Sequence, residues 1–283
     1  MLKQRVITAI VMLLVLLPAM FYPSPEPFGL VACALICTAA WEWARLNGAP
    51  GWRSYAAALA CGLICTFFWW QGAVSSSFPP PGVWIAVGAA WVLAAAWALA
   101  GGVTQWSKIN PTFRLFAGVL MLAVAWLAVV QARHVGINFL LSVMTLVWVA
   151  DIFAYFAGRA FGGRIARQKL APSISPGKSW EGVWGGLIGV VVLSVAWIWA
   201  DARFNPGAPS LYTHLWAKAW WVMLVAVLFM AAMSVAGDLV ESLIKRSAGA
   251  KDSSNLLPGH GGVLDRVDAL LPTLPLAMML YSV

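Results

Sequence analysis

The sequence predicts an all-α polytopic membrane protein with about nine transmembrane helices, a cytoplasmic N-terminus and an outside C-terminus. Three observations carry that reading. Hydrophobic residues make up 62% of the chain and charged residues only 10%, against about 25% charged in an ordinary soluble domain. Apolar runs recur at lengths near the roughly 20 residues that a helix needs to cross a bilayer. Threading those runs back and forth sorts most of the basic residues to one side.

The runs lie at about 6–22, 28–44, 55–74, 83–101, 115–132, 138–157, 182–200, 219–241 and 267–283. Backbone amides in lipid must bond within their own segment, so these runs are helices; a barrel would alternate apolar and polar residues. The first follows Met1-Leu-Lys3-Gln-Arg5 and ends on Pro18-Ala-Met-Phe-Tyr-Pro23. That is a poor cleavage site, so the run reads as a retained helix. The second and third carry Cys33, Cys37, Cys61 and Cys65, each pair four residues apart. A four-thiolate metal site is one reading. Small apolar residues at helix contacts is the stronger one, because no His or acid supports a metal there. Segments 75–82 and 205–210 read as short external connectors. Trp41, Trp43, Trp52, Trp69, Trp70, Trp180, Trp216, Trp220 and Trp221 fall near run ends, which is the interfacial belt and carries no chemistry.

With the N-terminus inside, only Arg133, Arg203 and Lys218 of the 18 basic residues lie outside. The net charge of +8 is then a topology signal and not a nucleic-acid footprint. It also suits a phosphate-bearing partner at the inner face. The chain divides into membrane helices at 1–132, serving lipid access or dimerisation, and a catalytic region at 133–283. The two long basic loops of that region are 158–181 and 242–266.

An ionisable group within a span is a functional candidate by default. Asp238, Glu241, Ser242 and Lys245 share one face at the end of the eighth run. A helix-end ion pair explains Glu241 and Lys245. It explains Asp238 less well, which has no basic residue three or four positions on. Asp265 and Asp268 form a second pair around Arg266. Acids favour a helix start for electrostatic reasons alone. Here they follow Pro258-Gly-His260-Gly261-Gly262, whose backbone N–H groups suit phosphate oxygens. A lone histidine is more often structural than catalytic, but the glycines around His260 argue against core packing. Hard carboxylate ligands of this kind suit Mg²⁺ bridging to substrate phosphates. In the third group, Asp151 and Tyr155 lie one turn apart, and Ser175-Pro-Gly177-Lys178-Ser179 precedes the seventh run. Gly177-Lys178-Ser179 lacks the strand and first glycine of a P-loop. Ser179 or a neighbour suits a helix cap.

These residues resemble a known family. Ser242-x-x-Lys245-Arg246-x4-Lys251-Asp252-x5-Pro258-Gly-His260-Gly261-Gly262-x2-Asp265-Arg266-x-Asp268 is similar to the signature of phosphatidate cytidylyltransferases, also called CDP-diacylglycerol synthases. Asp151-x2-Ala-Tyr155-x2-Gly158-Arg159 and Ser175-Pro-x-Lys178-Ser179-x-Glu181-Gly182 resemble two further stretches of that family. Gly177 and Ser179 depart from the Lys and Thr often found there, which puts one phosphate contact in doubt. The resemblance is specific over roughly 150–268 and rests on hydropathy alone before that.

The resemblance implies that CTP and phosphatidate give CDP-diacylglycerol and pyrophosphate with Mg²⁺, in a bacterial cytoplasmic (inner) membrane. In some members a monovalent cation such as K⁺ is a second ion, and the enzyme is a homodimer. By that resemblance Asp238 and Asp265 hold the metal, with Asp268 and Asp151 as further ligands. Lys178, Lys245, Arg246, Lys251 and Arg266 meet phosphates, and His260, Gly261 and Gly262 shape the nucleotide site. Tyr155, Ser175, Ser179, Ser242 and Asp252 complete the substrate contacts. Two other classes compete: a CTP-dependent lipid-alcohol kinase, releasing CDP, and a transporter. A transporter should show paired broken helices in two related halves, whereas here the polar residues crowd one face of the second half.

Overall fold

The computed structural model describes residues 2–76 and 79–283. Met1, the Lys3 side chain, and Ser77 and Phe78 of the expected connector lie outside the described residues. The chain is a bundle of long helices: α1 (Leu2–Phe21), α2 (Glu26–Leu46), α3 (Trp52–Trp70), α4 (Pro81–Lys108), α5 (Pro111–Val135) and α6 (Ile137–Phe161). A short hairpin follows, β1 (Lys169–Ala171) and β2 (Ser175–Ser179). Then come α7 (Trp180–Phe204), α8 (Leu211–Lys218), α9 (Trp220–Ser247), α10 (Leu264–Val267) and α11 (Leu270–Ser282).

Seven of the described helices are long and apolar enough to cross a membrane: α1, α2, α4, α5, α6, α7 and α9. This is a multi-pass, predominantly helical membrane protein. The runs expected at 55–74 and 267–283 are helices too, but neither is among the seven. α3 is diluted by Arg53, Ser54, Gly62 and Thr66. α11 has 13 residues, because a turn at Asp268 and Ala269 separates it from α10. Its residues from Leu271 to Met278 are all buried, so it lies within the bundle.

Two elements correct the sequence reading. Loop 158–181 contains the antiparallel pair β1–β2, with Lys169 opposite Ser179 and Ala171 opposite Ser175. Pro172 and Pro176 work against a helix there and leave a turn between strands. The connector at 205–210 leads into α8, whose Leu211, Tyr212 and Leu215 are buried. Ser210 caps α8 by accepting from the Thr213 N–H at 3.2 Å.

The far end of the bundle is pinned by buried polar groups. Arg133, expected in an outer loop, is buried and donates to Met20 O and Tyr22 O, both at 2.8 Å. Asp201 accepts from Asn138 Nδ2 at 3.0 Å, Thr213 Oγ1 at 2.6 Å and Ser210 N at 3.0 Å. Such contacts leave few orphan groups where helices end. The cysteines are free, and Cys61 and Cys65 are fully buried helix contacts between α2, α3 and α5.

The approach of α6 to α7 sets the distance across the other end. A methyl group on Gly186 would lie 2.9 Å from the Ala150 carbonyl oxygen. Only glycine lets the two backbones come this close, as is common where membrane helices pack. Asp151 follows Ala150 directly, so this contact fixes its height against β2 and α7.

Candidate active site

A cavity of about 430 Å³ opens at the end of the bundle where α6 and α9 finish and α7 begins. Its polar lining is Asp151, Tyr155, Arg159, Lys178, Ser179 and Asp238. Helical spacing puts Asp151, Tyr155 and Arg159 in one column on α6, where Arg159 Nη1 donates to Tyr155 Oη at 3.2 Å. β2 delivers Lys178. Ser179 caps α7, accepting from the Gly182 N–H at 3.2 Å, and so is both cap and wall. α9 brings in Asp238. The Lys178 Nζ lies 2.6 Å from Asp238 Oδ2, and Ser242 Oγ donates to Oδ1 at 3.2 Å. Asp238 thus has the basic partner that its own helix lacks, supplied by the hairpin.

Asp268 lies within electrostatic reach of both Asp151 and Asp238, and Arg266 and Lys178 within reach of Asp151. Among the described residues no group of three His, Cys, Asp or Glu side chains closes into a metal cage. A cage is not what Mg²⁺ usually takes: one or two carboxylates and substrate phosphates suffice, with water completing the shell. Asp151, Asp238 and Asp268 fit that donor chemistry.

Behind this cavity lies a second network, centred on Lys245. Its ammonium is paired with Glu241 and with Asp265 Oδ1, the latter at 2.6 Å. Asp265 Oδ2 accepts from the Gly262 N–H at 2.8 Å, and from the Ser253 N–H and Oγ, each at 2.9 Å. The acids of α9 therefore divide: Asp238 lines the cavity, while Glu241 pairs with Lys245, which also holds Asp265. Asp268 lies within electrostatic reach of Asp238 and of Lys245 alike. Asp265, expected to hold the metal, has a side chain that is 4% exposed, with Oδ1 on Lys245 and Oδ2 on Gly262 and Ser253.

Burial pushes the Asp265 carboxyl upward, but bonds from Lys245, Gly262 and Ser253 outweigh it and hold the group at about 2. A carboxyl held below its ordinary 3.8 stabilises the fold above that value. The stabilisation is lost as pH falls through the folded value. Thermal unfolding of detergent-solubilised protein is expected to show this loss between about pH 4 and pH 2. An Asp265→Asn variant should lack that part of the acid dependence.

The remaining expected contacts fall into three settings. Arg246 is spent on backbone, donating to Ile174 O at 3.3 Å and Ala250 O at 3.1 Å, so it braces the hairpin against α9. Lys251, Asp252 and Arg266 are exposed. Ser175 sits at the start of β2, away from the cavity lining. His260 is half-buried on the glycine loop, with Nδ1 buried and without a hydrogen-bond partner among the described residues, while its N–H donates to Leu257 O at 2.8 Å. That loop also leans on α1, where Thr8 Oγ1 donates to Pro258 O at 3.0 Å. Gly261 and Gly262 serve the loop itself: Gly262 donates to Asp265, and a side chain on it would strike Ser253 and Glu42.

Two buried acids carry more of this site than the sequence reading gave them. Glu181 Oε1 accepts from the N–H groups of Gly163, Ile165 and Ala166 at 2.9–3.1 Å, tying down the loop after α6. Glu42, at the end of α2, is fully buried and bonded to the loop 253–264. The signal available for both was an acid in an otherwise apolar stretch. Glu181 is held by backbone amides, and Glu42 by two backbone amides and two serine hydroxyls, partners that no residue pattern reveals.

The chain matches the cytidylyltransferase family over residues 3–283. It is 39% identical to a phosphatidate cytidylyltransferase of Pseudomonas aeruginosa over 292 aligned residues, covering 100% of this chain and 98% of the relative. A phosphatidate cytidylyltransferase of Haemophilus influenzae is 38% identical, with 99% of each chain covered. A shorter match of 36% identity, to a phosphatidate cytidylyltransferase of Staphylococcus saprophyticus, covers 62% of this chain and 61% of the relative.

Proposed function

This chain belongs to the cytidylyltransferase family, and we infer that it converts CTP and phosphatidate to CDP-diacylglycerol and pyrophosphate. The observation that best supports the site is the meeting of Asp151, Lys178 and Asp238 at one cavity at a membrane-helix end. Its volume of about 430 Å³ lies in the range of small-molecule sites.

The chemistry asks little covalent work of the protein. An oxygen of the phosphatidate phosphate attacks the α-phosphorus of CTP. The new P–O bond forms as the bond between the α-phosphorus and the bridging oxygen breaks, and pyrophosphate leaves. The lipid phosphate is already a nucleophile, so the task is to bring two anions together and align them. Lys178, Arg159 and Arg266 supply positive charge around the cavity. Lys178 can exchange its contact with Asp238 for a phosphate oxygen. Tyr155 and Ser179 offer hydroxyls at the wall. Asp151, Asp238 and Asp268 would hold Mg²⁺, which when bound neutralises phosphate charge; a monovalent ion such as K⁺ would add to it. Lys245 and Asp265 act from behind, fixing the backbone of the glycine loop.

The active site faces the cytoplasm of a bacterial inner membrane in this reading. The helix ends that carry it also carry most of the basic residues, which favours the inner side. α3 and α11 complete nine passes, and a homodimer follows from the family resemblance.

The deciding experiment uses purified protein, phosphatidate, Mg²⁺ and CTP labelled separately at the α- and γ-phosphates. The α-label is expected in lipid, with pyrophosphate released. Transfer of the γ-label would identify a kinase. A folded protein that moves neither label would return the transporter reading.

A further inference from the structure

We propose that Glu42 is a positioning residue for the transfer reaction, through which α2 sets the shape of the glycine loop from inside the bundle. The proposal rests on the placement of the site given above. Glu42 lies in the last turns of α2, more than two hundred residues from the loop, and is 0% exposed. A buried carboxylate is costly unless its oxygens are satisfied. Here both oxygens are. Oε1 accepts from Val263 N at 3.0 Å and Ser254 Oγ at 2.5 Å. Oε2 accepts from Leu264 N at 2.7 Å and lies 3.2 Å from Ser253 Oγ.

Each partner is a loop residue or opens α10. The carboxylate therefore satisfies the first N–H groups of that helix, which have no acceptor of their own. The helix is one turn long and carries Asp265 and Arg266, with Asp268 next. Its direction fixes where Asp265 meets Lys245 and how near Asp268 comes to Asp238 and Asp151. Ser253 joins the two parts, since its hydroxyl reaches Asp265 at 2.9 Å and Glu42 at 3.2 Å. A hydroxyl has one proton, so it satisfies one carboxylate at a time. Glu42 must then be held mainly by the backbone donors and Ser254. The close fit also explains Gly262, because any side chain there would strike Glu42 and Ser253. The signature glycine and an acid in the first half of the chain are two halves of one contact.

Glutamine is the sharpest test, because its NH₂ would point a donor at a backbone donor on whichever side it lies. Glu42→Gln is expected to lower kcat by about 10–100-fold, the range for partners that orient ligating groups. KM for CTP should change less than kcat, and amide hydrogen exchange should rise at 253–264 while α5, α6 and α7 stay protected. Ser254→Ala removes one donor and should give the same pattern more weakly. It decides the matter if Glu42→Gln is not recovered folded. Unchanged kcat in a folded variant, or exchange raised evenly across the bundle, overturns the proposal. Asp238→Asn runs beside both variants. If Asp238→Asn stays active, the site itself is misplaced; if it is inactive while Glu42→Gln keeps its kcat, only the Glu42 inference fails.

Discussion

Asp238→Asn is expected to abolish cytidylyl transfer and leave the fold intact. The side chain is 31% exposed, and its partners are Lys178, itself 24% exposed, and Ser242. An ion pair this open to water contributes about 0–1 kcal/mol to stability. Asparagine fits the same space and can still accept from Ser242. The unfolding temperature should therefore hardly move. Turnover should fall by at least about 10²–10³-fold, the size of loss seen when one element of preorganised transition-state stabilisation is removed, because Asp238 places the cations that meet the phosphates. Two things would be lost together: the carboxylate that parks Lys178, and one of the oxygen donors that suit Mg²⁺. The measurement is CDP-diacylglycerol formation under saturating CTP and phosphatidate, with thermal unfolding on the same preparation. A folded variant with near-normal turnover would remove this cavity from the chemistry.

What the sequence made legible follows from the kind of interaction involved. The helices were readable because a bilayer imposes length and apolarity on each pass, and α1, α2, α4, α5, α6, α7 and α9 meet both. Asp238 stood out for a related reason: it is an acid deep in an apolar run with no partner on its own helix. The partner, Lys178, sits on a hairpin sixty residues earlier. A pairing between a loop and a helix leaves no periodic trace. The β1–β2 hairpin was missed because three- and five-residue strands between prolines have too little pattern to see.

The acidic pairs show the limit most clearly. Spacing alone places Asp238 with Glu241, and Asp265 with Asp268, on shared helix faces. It does not say that Asp238 lines a cavity while Glu241 and Asp265 pair with a buried lysine. That division depends on where Lys245 lies, and on Gly262 and Ser253 donating to Asp265. Glu42 is an acid in a span, yet the donors that give it a role are two backbone amides and two serine hydroxyls of a loop far along the chain.

Asp265→Asn is expected to cost both stability and turnover, which separates it from Asp238→Asn. Asp265 and Lys245 are 4% and 11% exposed at the side chain. Removing one member of a buried pair leaves the other charge poorly compensated and typically costs about 3–5 kcal/mol. Glu241 softens the loss at Lys245 but cannot replace the bonds that Asp265 accepts from Gly262 and Ser253. An asparagine NH₂ must face either Lys245 or those N–H groups, and each is a donor. The loop should loosen, the unfolding temperature should drop, and turnover should fall because α10 no longer holds Asp268 near Asp238 and Asp151. A bare metal ligand would behave differently. Its loss would keep the unfolding temperature and raise the Mg²⁺ concentration needed for half-maximal rate. Measuring unfolding and Mg²⁺ dependence on the same variant therefore decides whether Asp265 braces the loop or holds the ion.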